Sequence, residues 1–568
     1  MKKNSGIYIG CGVIVLILAV AFLAGYFIGF APQGKNVAQG SWLVLDLSGQ
    51  VTDYSILQSS NFLGYNPLSV TDICYRIRKA ADDNKIKGIL IKPNLLQTNY
   101  ANLNEIDAAL QDFKKSHKPV IAHGEVLAQK DYLLCAMADK IFMDPSASAG
   151  IVLEGVASNV LFYKDALKKL GIKMHVMQEG EFKGAAEPYT QNSLSPGTEE
   201  NLRKVLKSRY ELIQQDISKM RSMKIDTVQN IYENRPDLTI DAQEAIKYGL
   251  IDEAATWEEL QKKYDITDKY QISISDYKSG TEASISSDKI AVVYLSGNIT
   301  PSINYNNPNV ISLNSIDRIL DKLADDKTVK AVVLRINSPG GSALESELIY
   351  QRIKAFEKPV VVSMGGMAAS GGYYISCAGD YIIADPQTIT GSIGVMMALP
   401  EAEELGNKIG IESQTISYGK FAGAGNILEK TDPELLASLK RESASVYAEF
   451  KQRVMDSRKI GADKIDLVAE GRVFSASDAK GNGLIDDIGN LQFAITKAAD
   501  LAKITKYGVE SYPKKVTIWD LFRQGNWLQT SSAKAINKES NAIEPIEDYL
   551  KKTLPTNQWL YFCPYKLD

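Results

Sequence analysis

Histidine is nearly absent from this chain, and that scarcity narrows the chemistry open to it. Only three occur in 568 residues, His117, His123 and His175. None has a carboxylate partner identifiable from the sequence, so the usual histidine base of a serine or cysteine nucleophile is disfavoured. His117, in KKSHKP, reads as a solvated turn residue, whereas His123 and His175 lie in or beside apolar runs and read as core-edge residues. Cysteine is sparse too. Cys11, Cys74, Cys135, Cys377 and Cys563 are scattered, with no CxxC spacing, which excludes a disulfide framework and a cysteine metal site. Cys74, Cys135 and Cys377 read as small buried side chains. Excess charge is missing as well: 64 basic against 68 acidic residues leave a net charge of −4. Nucleic acid is therefore not an expected partner, since that needs a basic face. No cofactor and no metal is implied.

One stretch lacks charge altogether. Ile7 to Ala31 is an uninterrupted apolar run after MKKNSG, and about 20 such residues span a bilayer core. A cleaved signal peptide has an apolar core of only about 7 to 15 residues, so the run reads as a retained transmembrane anchor. Lys2 and Lys3 precede it and Lys35 follows, a bias that weakly places the C-terminal part outside the cytoplasm.

What the chain has in abundance is itself, twice. SWLVLDLSGQVT (41 to 52) matches KIAVVYLSGNIT (289 to 300), and ADDNKIKGILIKPN (81 to 94) matches ADDKTVKAVVLRIN (324 to 337). AQKDYLLCAMADKIFMDP (128 to 145) matches ASGGYYISCAGDYIIADP (369 to 386), EGEFKGA (179 to 185) matches YGKFAGA (418 to 424), and YGLIDE matches NGLIDD. Order is kept throughout, so a domain has been duplicated. Unbroken β-rich runs alternate with amphipathic segments in each copy, which implies parallel strands covered on both faces and an α/β class. The expected organisation is a cytoplasmic N-terminus at 1–6, an anchor at 7–31 and a first α/β repeat at 32–274. A linker at 275–288, a second repeat at 289–505 and a tail at 506–568 complete it.

The two copies have decayed in different places. In the second, strand PVVVSM leads to Ser370-Gly371-Gly372 and a helix, a setting where free N–H groups and the helix dipole favour negative charge. Such a serine is a candidate nucleophile, although a serine at a helix start is ordinarily only a cap. The loop NSPGGSA follows another strand, and backbone N–H groups of Gly340, Gly341 and Gly371 are candidate oxyanion donors. In the first copy the matching residues are Gln129, Lys130 and Asp131, and Leu95, Leu96 and Gln97. Conversely, Lys183 of the first copy stands opposite Ala422 of the second. Each copy thus retains half of a Ser-Lys dyad. A lysine base must be uncharged, which from an ordinary value near 10.4 costs roughly 4 kcal/mol. Glu181 would oppose this, so it is expected to point away or the strand to bend there. Lys420 and Lys130 are rival bases.

These motifs, RINSPGGSALES, AASGGYYIS, ADPQTITGSIGV, GRVFSASDAKGNGLID and GEFKGAAEPYTQNSLSP, resemble those of the signal peptide peptidase A (protease IV) family in its long, tandem-domain form. The resemblance covers nearly the whole chain, except NLLQTNY and the tail. It implies two tandem Clp-protease/crotonase-like domains behind one N-terminal transmembrane helix, with Ser370 as nucleophile, Lys183 as general base and Ser392 orienting the lysine. It also implies a homotetramer on the periplasmic side of the bacterial inner membrane that degrades hydrophobic peptides, namely cleaved signal peptides. Two other readings stay open: a crotonase-like acyl hydrolase acting on thioesters or lipids, and an inactive membrane-tethered scaffold.

Overall fold

A computed structural model describes residues 37–56, 68–277, 287–301, 310–515 and 560–562. The expected anchor, the N-terminal residues before it, Cys11, Cys563 and most of the expected linker lie outside the described residues. Among the described residues no helix is long and apolar enough to cross a membrane.

Each repeat is built on a parallel sheet, and the strand order is the same in both. In the first it runs Glu253–Ala254, Lys140–Met143, Val120–Gly124, Ile86–Ile91, Ser41–Leu45, Gln271–Ser273. In the second the corresponding path is Asp487–Ile488, Tyr381–Ala384, Val360–Ala369, Val329–Ser338, Lys289–Ser296, Gly508–Tyr512. The apolar runs form strands because both faces are covered. Helices Val70–Asp82 and Tyr100–Lys114 bring Ile73, Ile77, Ile106 and Phe113 to one face of the first sheet. Trp42, Leu90, Phe142 and Leu260 cover the other. Matching helices Val70–Asp82 and Leu313–Asp325 even start with the same device, a capping box on Ser69 and on Ser312, which satisfies N–H groups the helix itself leaves unpaired.

Two expected boundaries shift. The second repeat does not end at 505, because Gly508–Tyr512 pairs in parallel with Lys289–Ser296 as Gln271–Ser273 does with Ser41–Leu45. The first repeat does not end at 274, because Tyr277 is buried in its core. Alternating polarity shows up poorly in an edge strand as short as Gly508–Tyr512, which is why the sequence pattern placed it in the tail.

The repeats are joined by more than chain connectivity. The strand Lys173–Glu179 leaves the first repeat and pairs antiparallel with Val395–Glu401 of the second. The sheet it joins runs Val310–Ile311, Asn298–Ile299, Gly340–Ser342, Leu560–Phe562, Val395–Glu401, Lys173–Glu179. Arg335 of the second repeat is buried against Asp53 at 3.4 Å and Glu105 at 3.2 Å, both from the first. Asn104 of the first donates to Asp385 of the second at 2.8 Å. Charges this deep persist because they are paired across the junction.

Candidate active site

Ser370 occupies a sharp junction. Strand Val360–Ala369 ends on it and helix Gly371–Ser376 begins after it, and its backbone holds φ 55° and ψ −118°. A non-glycine residue in this region is strained and is held there by its surroundings. Its N–H donates to Gly391 O at 2.7 Å, and its C=O accepts from Tyr374 N–H at 2.8 Å. The two glycines that follow are needed for close approach. A Cβ on Gly371 would lie 2.7 Å from Ser346 Oγ and 3.2 Å from Gly340 Cα, and one on Gly372 would lie 2.7 Å from Ser338 O.

Lys183 arrives from the first repeat. The strand Lys173–Glu179 turns at Gly180, whose φ is +106°, so the chain bends where Glu181 was expected to be diverted. Glu181 is exposed and uses its N–H on Glu470 Oε2 at 3.0 Å. The turn is clasped by the second repeat: Phe182 N–H donates to Glu470 O at 2.7 Å, and the Arg472 guanidinium sits 3.9 Å over the Phe182 ring. Lys183 is then directed inward and is 1% exposed. Its Nζ lies 2.7 Å from Ser370 Oγ, 2.8 Å from Ser392 O and 3.0 Å from Ser392 Oγ. Ser392 is itself held at φ 55°, its N–H donating to Arg472 O at 2.6 Å. The structure thus brings together Ser370, Lys183 and Ser392, two of them from one repeat and one from the other.

The rival bases lie elsewhere. Lys420 pairs with Glu434 at 2.5 Å on the surface, and Lys130 lies over the Tyr100 ring at 5.2 Å. His117 is exposed, and buried His123 hydrogen-bonds Ala255 O at 3.1 Å. His175 does have a carboxylate partner that sequence spacing could not reveal, Glu401 at 2.9 Å across the strand pair. Burial pushes the Glu401 carboxyl up, but hydrogen bonds from Thr431 N–H and His175 outweigh it and hold the group down near about 2. Cys74, Cys135 and Cys377 are buried free thiols.

The candidate oxyanion residues differ in what their N–H groups do. Gly340 N–H donates to Ser338 Oγ at 3.1 Å. Gly341, at φ +154°, packs so tightly on Ile299 that a Cβ would overlap its carbonyl at 1.9 Å. Gly371 N–H opens the first turn of its helix, where no intrahelical acceptor exists.

In the first repeat the matching place is held by the chain's own hydrogen bonds. Asp131 accepts N–H bonds from Leu95 at 3.2 Å and Leu96 at 3.0 Å, so the carboxylate ties the helix start to the loop that matches NSPGGSA of the second repeat. Gln129, opposite Ser370 in the repeat, is engaged with Tyr100 and Gly155. One residue that the sequence did not single out contributes directly. Gly471, at φ +78°, lies where a Cβ would be 2.5 Å from Lys183 N and 2.7 Å from its Cα. Its only sequence signal is its place inside GRVFSASDAKGNGLID.

The family model described as peptidase family S49 matches residues 112–271 and 352–505, one stretch in each repeat. The chain is 33% identical over 548 residues to Protease 4 of Salmonella typhi, covering 90% of this chain and 86% of that protein. It is 32% identical over 520 residues to Protease 4 of Haemophilus influenzae, covering 86% and 84%. To the chloroplastic serine protease SPPA of Arabidopsis thaliana it is 31% identical over 525 residues, covering 89% and 75%.

Proposed function

The chain belongs to peptidase family S49 and is a serine protease, and on that premise we propose that it cleaves peptide bonds through an acyl-enzyme on Ser370 with Lys183 as base. The observation that carries this reading is the 2.7 Å approach of Lys183 Nζ to Ser370 Oγ. A neutral amine has two N–H donors and one lone pair. The carbonyl and hydroxyl of Ser392 accept the two donors, and the lone pair faces the Ser370 hydroxyl. Removal of the ammonium from water disfavours its charged form, and this side chain is buried.

In the first step Lys183 takes the Ser370 proton as Oγ bonds to the peptide carbonyl carbon. Negative charge gathers on the carbonyl oxygen, beside Gly371 N–H and the Gly340–Gly341 loop. Such donors contribute roughly 3 kcal/mol each where they are preorganised. The ammonium of Lys183 then protonates the departing amine, the C–N bond breaks, and water activated by the regenerated amine hydrolyses the Ser370 ester. No cofactor takes part in this scheme.

The Clp-protease/crotonase-like fold of both repeats, the N-terminal anchor at 7–31, a periplasmic placement at the inner membrane and signal-peptide remnants as substrates belong to the same reading. An apolar peptide released into a bilayer is best met by a tethered enzyme with an extended binding groove.

Assembly into a homotetramer is also part of it, and the duplication supports self-association. Strand Lys173–Glu179 of the first repeat pairs with Val395–Glu401 of the second. Its repeat counterpart, the segment before YGKFAGA, lies unpaired, with Ile416 86% and Tyr418 97% exposed. The counterpart of Val395–Glu401 lies near 156–162, also without a strand partner among the described residues, with Leu161 and Tyr163 exposed. A second copy would let these two segments pair as their equivalents do within the chain, a head-to-tail contact of the kind that builds a ring where its rotation closes.

The test is turnover of an apolar reporter peptide by Ser370→Ala and Lys183→Ala, beside labelling of the parent with a fluorophosphonate. Loss of at least about 100-fold in kcat for both is expected. Near-normal turnover by either variant would contradict the dyad. Faster thioester than peptide hydrolysis by the parent would favour an acyl hydrolase, and absence of both turnover and labelling would favour an inert scaffold.

A further inference from the structure

The strand that delivers the nucleophile does not run straight. As far as Met364, which lies opposite Ile336, Val360–Ala369 keeps plain parallel register with Val329–Ser338, but Ser338 then lies opposite Ala368. Asn337 alone therefore faces Gly365, Gly366 and Met367, a bulge of the kind that bends a strand and re-aims its side chains. The other edge of the strand changes partner at the same place. Val361 to Met364 pair with Tyr381–Ala384, whereas Met367 to Ala369 pair with Ile389–Gly391. The bulge thus carries the strand end onto the segment that leads into Ser392, where Ser370 N–H reaches Gly391 O at 2.7 Å. From Lys118 to Ala128 the first copy has one residue fewer than the second has from Lys358 to Ala369. The copy with the serine is the one with the extra residue.

One side chain fills the bulge. Asn337 Oδ1 accepts from Met367 N–H at 3.2 Å, and Asn337 Nδ2 donates to Asp53 Oδ2 at 3.0 Å. Asp53 belongs to the first repeat and also pairs with Arg335 at 3.4 Å. A backbone N–H only donates and a carboxylate paired with a guanidinium accepts, so the two partners fix the orientation of the amide. The glycines leave room for this arrangement and for nothing larger. A Cβ on Gly365 would lie 3.3 Å from Asp53 Oδ2 and 3.4 Å from Asn337 Cβ, and one on Gly366 would lie 2.8 Å from Asn99 Cγ of the first repeat. Thr388 Oγ1 donates to Gly365 O and Thr390 Oγ1 to Ala368 O, both at 2.6 Å. Asn94, which matches Asn337 in the first copy, is exposed.

We propose that Asn337, held by Asp53 of the other repeat, is a positioning residue for the nucleophile: by filling the bulge it sets how far the strand end advances, and so brings the Ser370 hydroxyl within reach of Lys183. Its consequence for rate rests on the protease reading above, while its geometry rests on the strand register. The first repeat then contributes twice, with Lys183 as base and with Asp53 as the anchor of the strand that presents the hydroxyl.

Asn337→Ala, Asn337→Asp and the double variant Asp53→Asn with Asn337→Asp are compared with the parent, all full length. Alanine empties the bulge. Aspartate keeps an acceptor for Met367 N–H but sets a second carboxylate against Asp53, and the double variant exchanges the two groups, so that an amide again donates to a carboxylate. Both single variants should lose about 100-fold in kcat for the apolar reporter peptide, the cost of a displacement of about 1 Å, with KM little changed. Fluorophosphonate should label them correspondingly slowly but to the same final extent as the parent. The double variant should recover at least about ten-fold in kcat. Parental kcat in Asn337→Ala, no recovery in the double variant, or labelling at the parental rate to a reduced extent, the mark of partial unfolding, overturns the proposal. Crystal structures of the parent and Asn337→Ala separate it from the protease reading: the distance from Ser370 Oγ to Lys183 Nζ should lengthen by more than about 0.5 Å. An unchanged distance overturns the positioning role whether or not the enzyme turns over. A lengthened distance, with a parent that neither hydrolyses the peptide nor takes the label, upholds the positioning role and removes the protease reading.

Discussion

Lys183 is placed by a residue that never touches Ser370. Gly471 packs against the Lys183 backbone in a left-handed conformation, with room for hydrogen alone. Gly471→Ala is therefore expected to push Lys183 out of register, and displacements of about 1 Å can cost 100-fold in rate. Steady-state kinetics should show a large fall in kcat with KM little changed. An unchanged kcat would mean the lysine tolerates the shift and is not held by this contact. The same scale shows what the sequence made legible. Ser370 and Lys183 stood out because each copy had lost what the other kept, and Ser392 followed from the family resemblance. Gly471 and Glu470 did not stand out, because their role is to receive a turn from 289 residues earlier in the chain, and no local pattern encodes that. The pairing of His175 with Glu401 escaped for the same reason: it exists only once two strands from different repeats lie side by side.

At the scale of elements, the end of strand Tyr381–Ala384 meets the helix Tyr100–Lys114 of the other repeat. Asp385 is buried there, and burial, reinforced by nearby Glu105, pushes its carboxyl up to about 8, against the pull of Gln387 N–H, Arg335 and Asn104. The folded chain thus holds a proton that the unfolded chain has released above about 4. Below that pH the group favours neither state. As pH rises from about 4 to about 8, the unfolded state binds fewer protons, so stability falls by up to about 1.4 kcal/mol per pH unit. Asp385→Asn removes the titration. Its urea midpoint should decline less than the parent's between pH 5 and pH 8, and parallel declines would show that Asp385 is not the group responsible. The elements themselves were mostly readable in advance. Apolar runs such as KAVVLRI became buried parallel strands, and the strand order of one repeat is the strand order of the other. The crossing of Lys173–Glu179 to the second repeat was not readable, because a strand pattern reports that a segment pairs and not with what.

The whole molecule is a duplicated fold in which one copy keeps the Ser370 junction and the other has Gln129 and Asp131 tied into its own hydrogen bonds at the matching place. Duplication also leaves two unmatched segments, which the proposed ring would pair between copies. Ile416→Asp, at a position 86% exposed in the single chain, should lower the assembly mass seen by native mass spectrometry. Fluorophosphonate labelling should persist, because both members of the proposed dyad lie within one chain. An unchanged mass, or a parent that is itself monomeric, would contradict ring formation through this segment. The claim on which the rest depends is that the amine of one repeat takes the proton of the hydroxyl of the other, and chemical rescue tests it most directly. Lys183→Cys should lack turnover. Treatment with 2-bromoethylamine rebuilds a lysine-like amine at 183 whose sulfur lowers its basicity, so activity should return with its rising pH limb moved to lower pH. The parent treated alike should keep its original profile. Near-parental turnover by untreated Lys183→Cys, or restored turnover with an unmoved profile, would contradict the account.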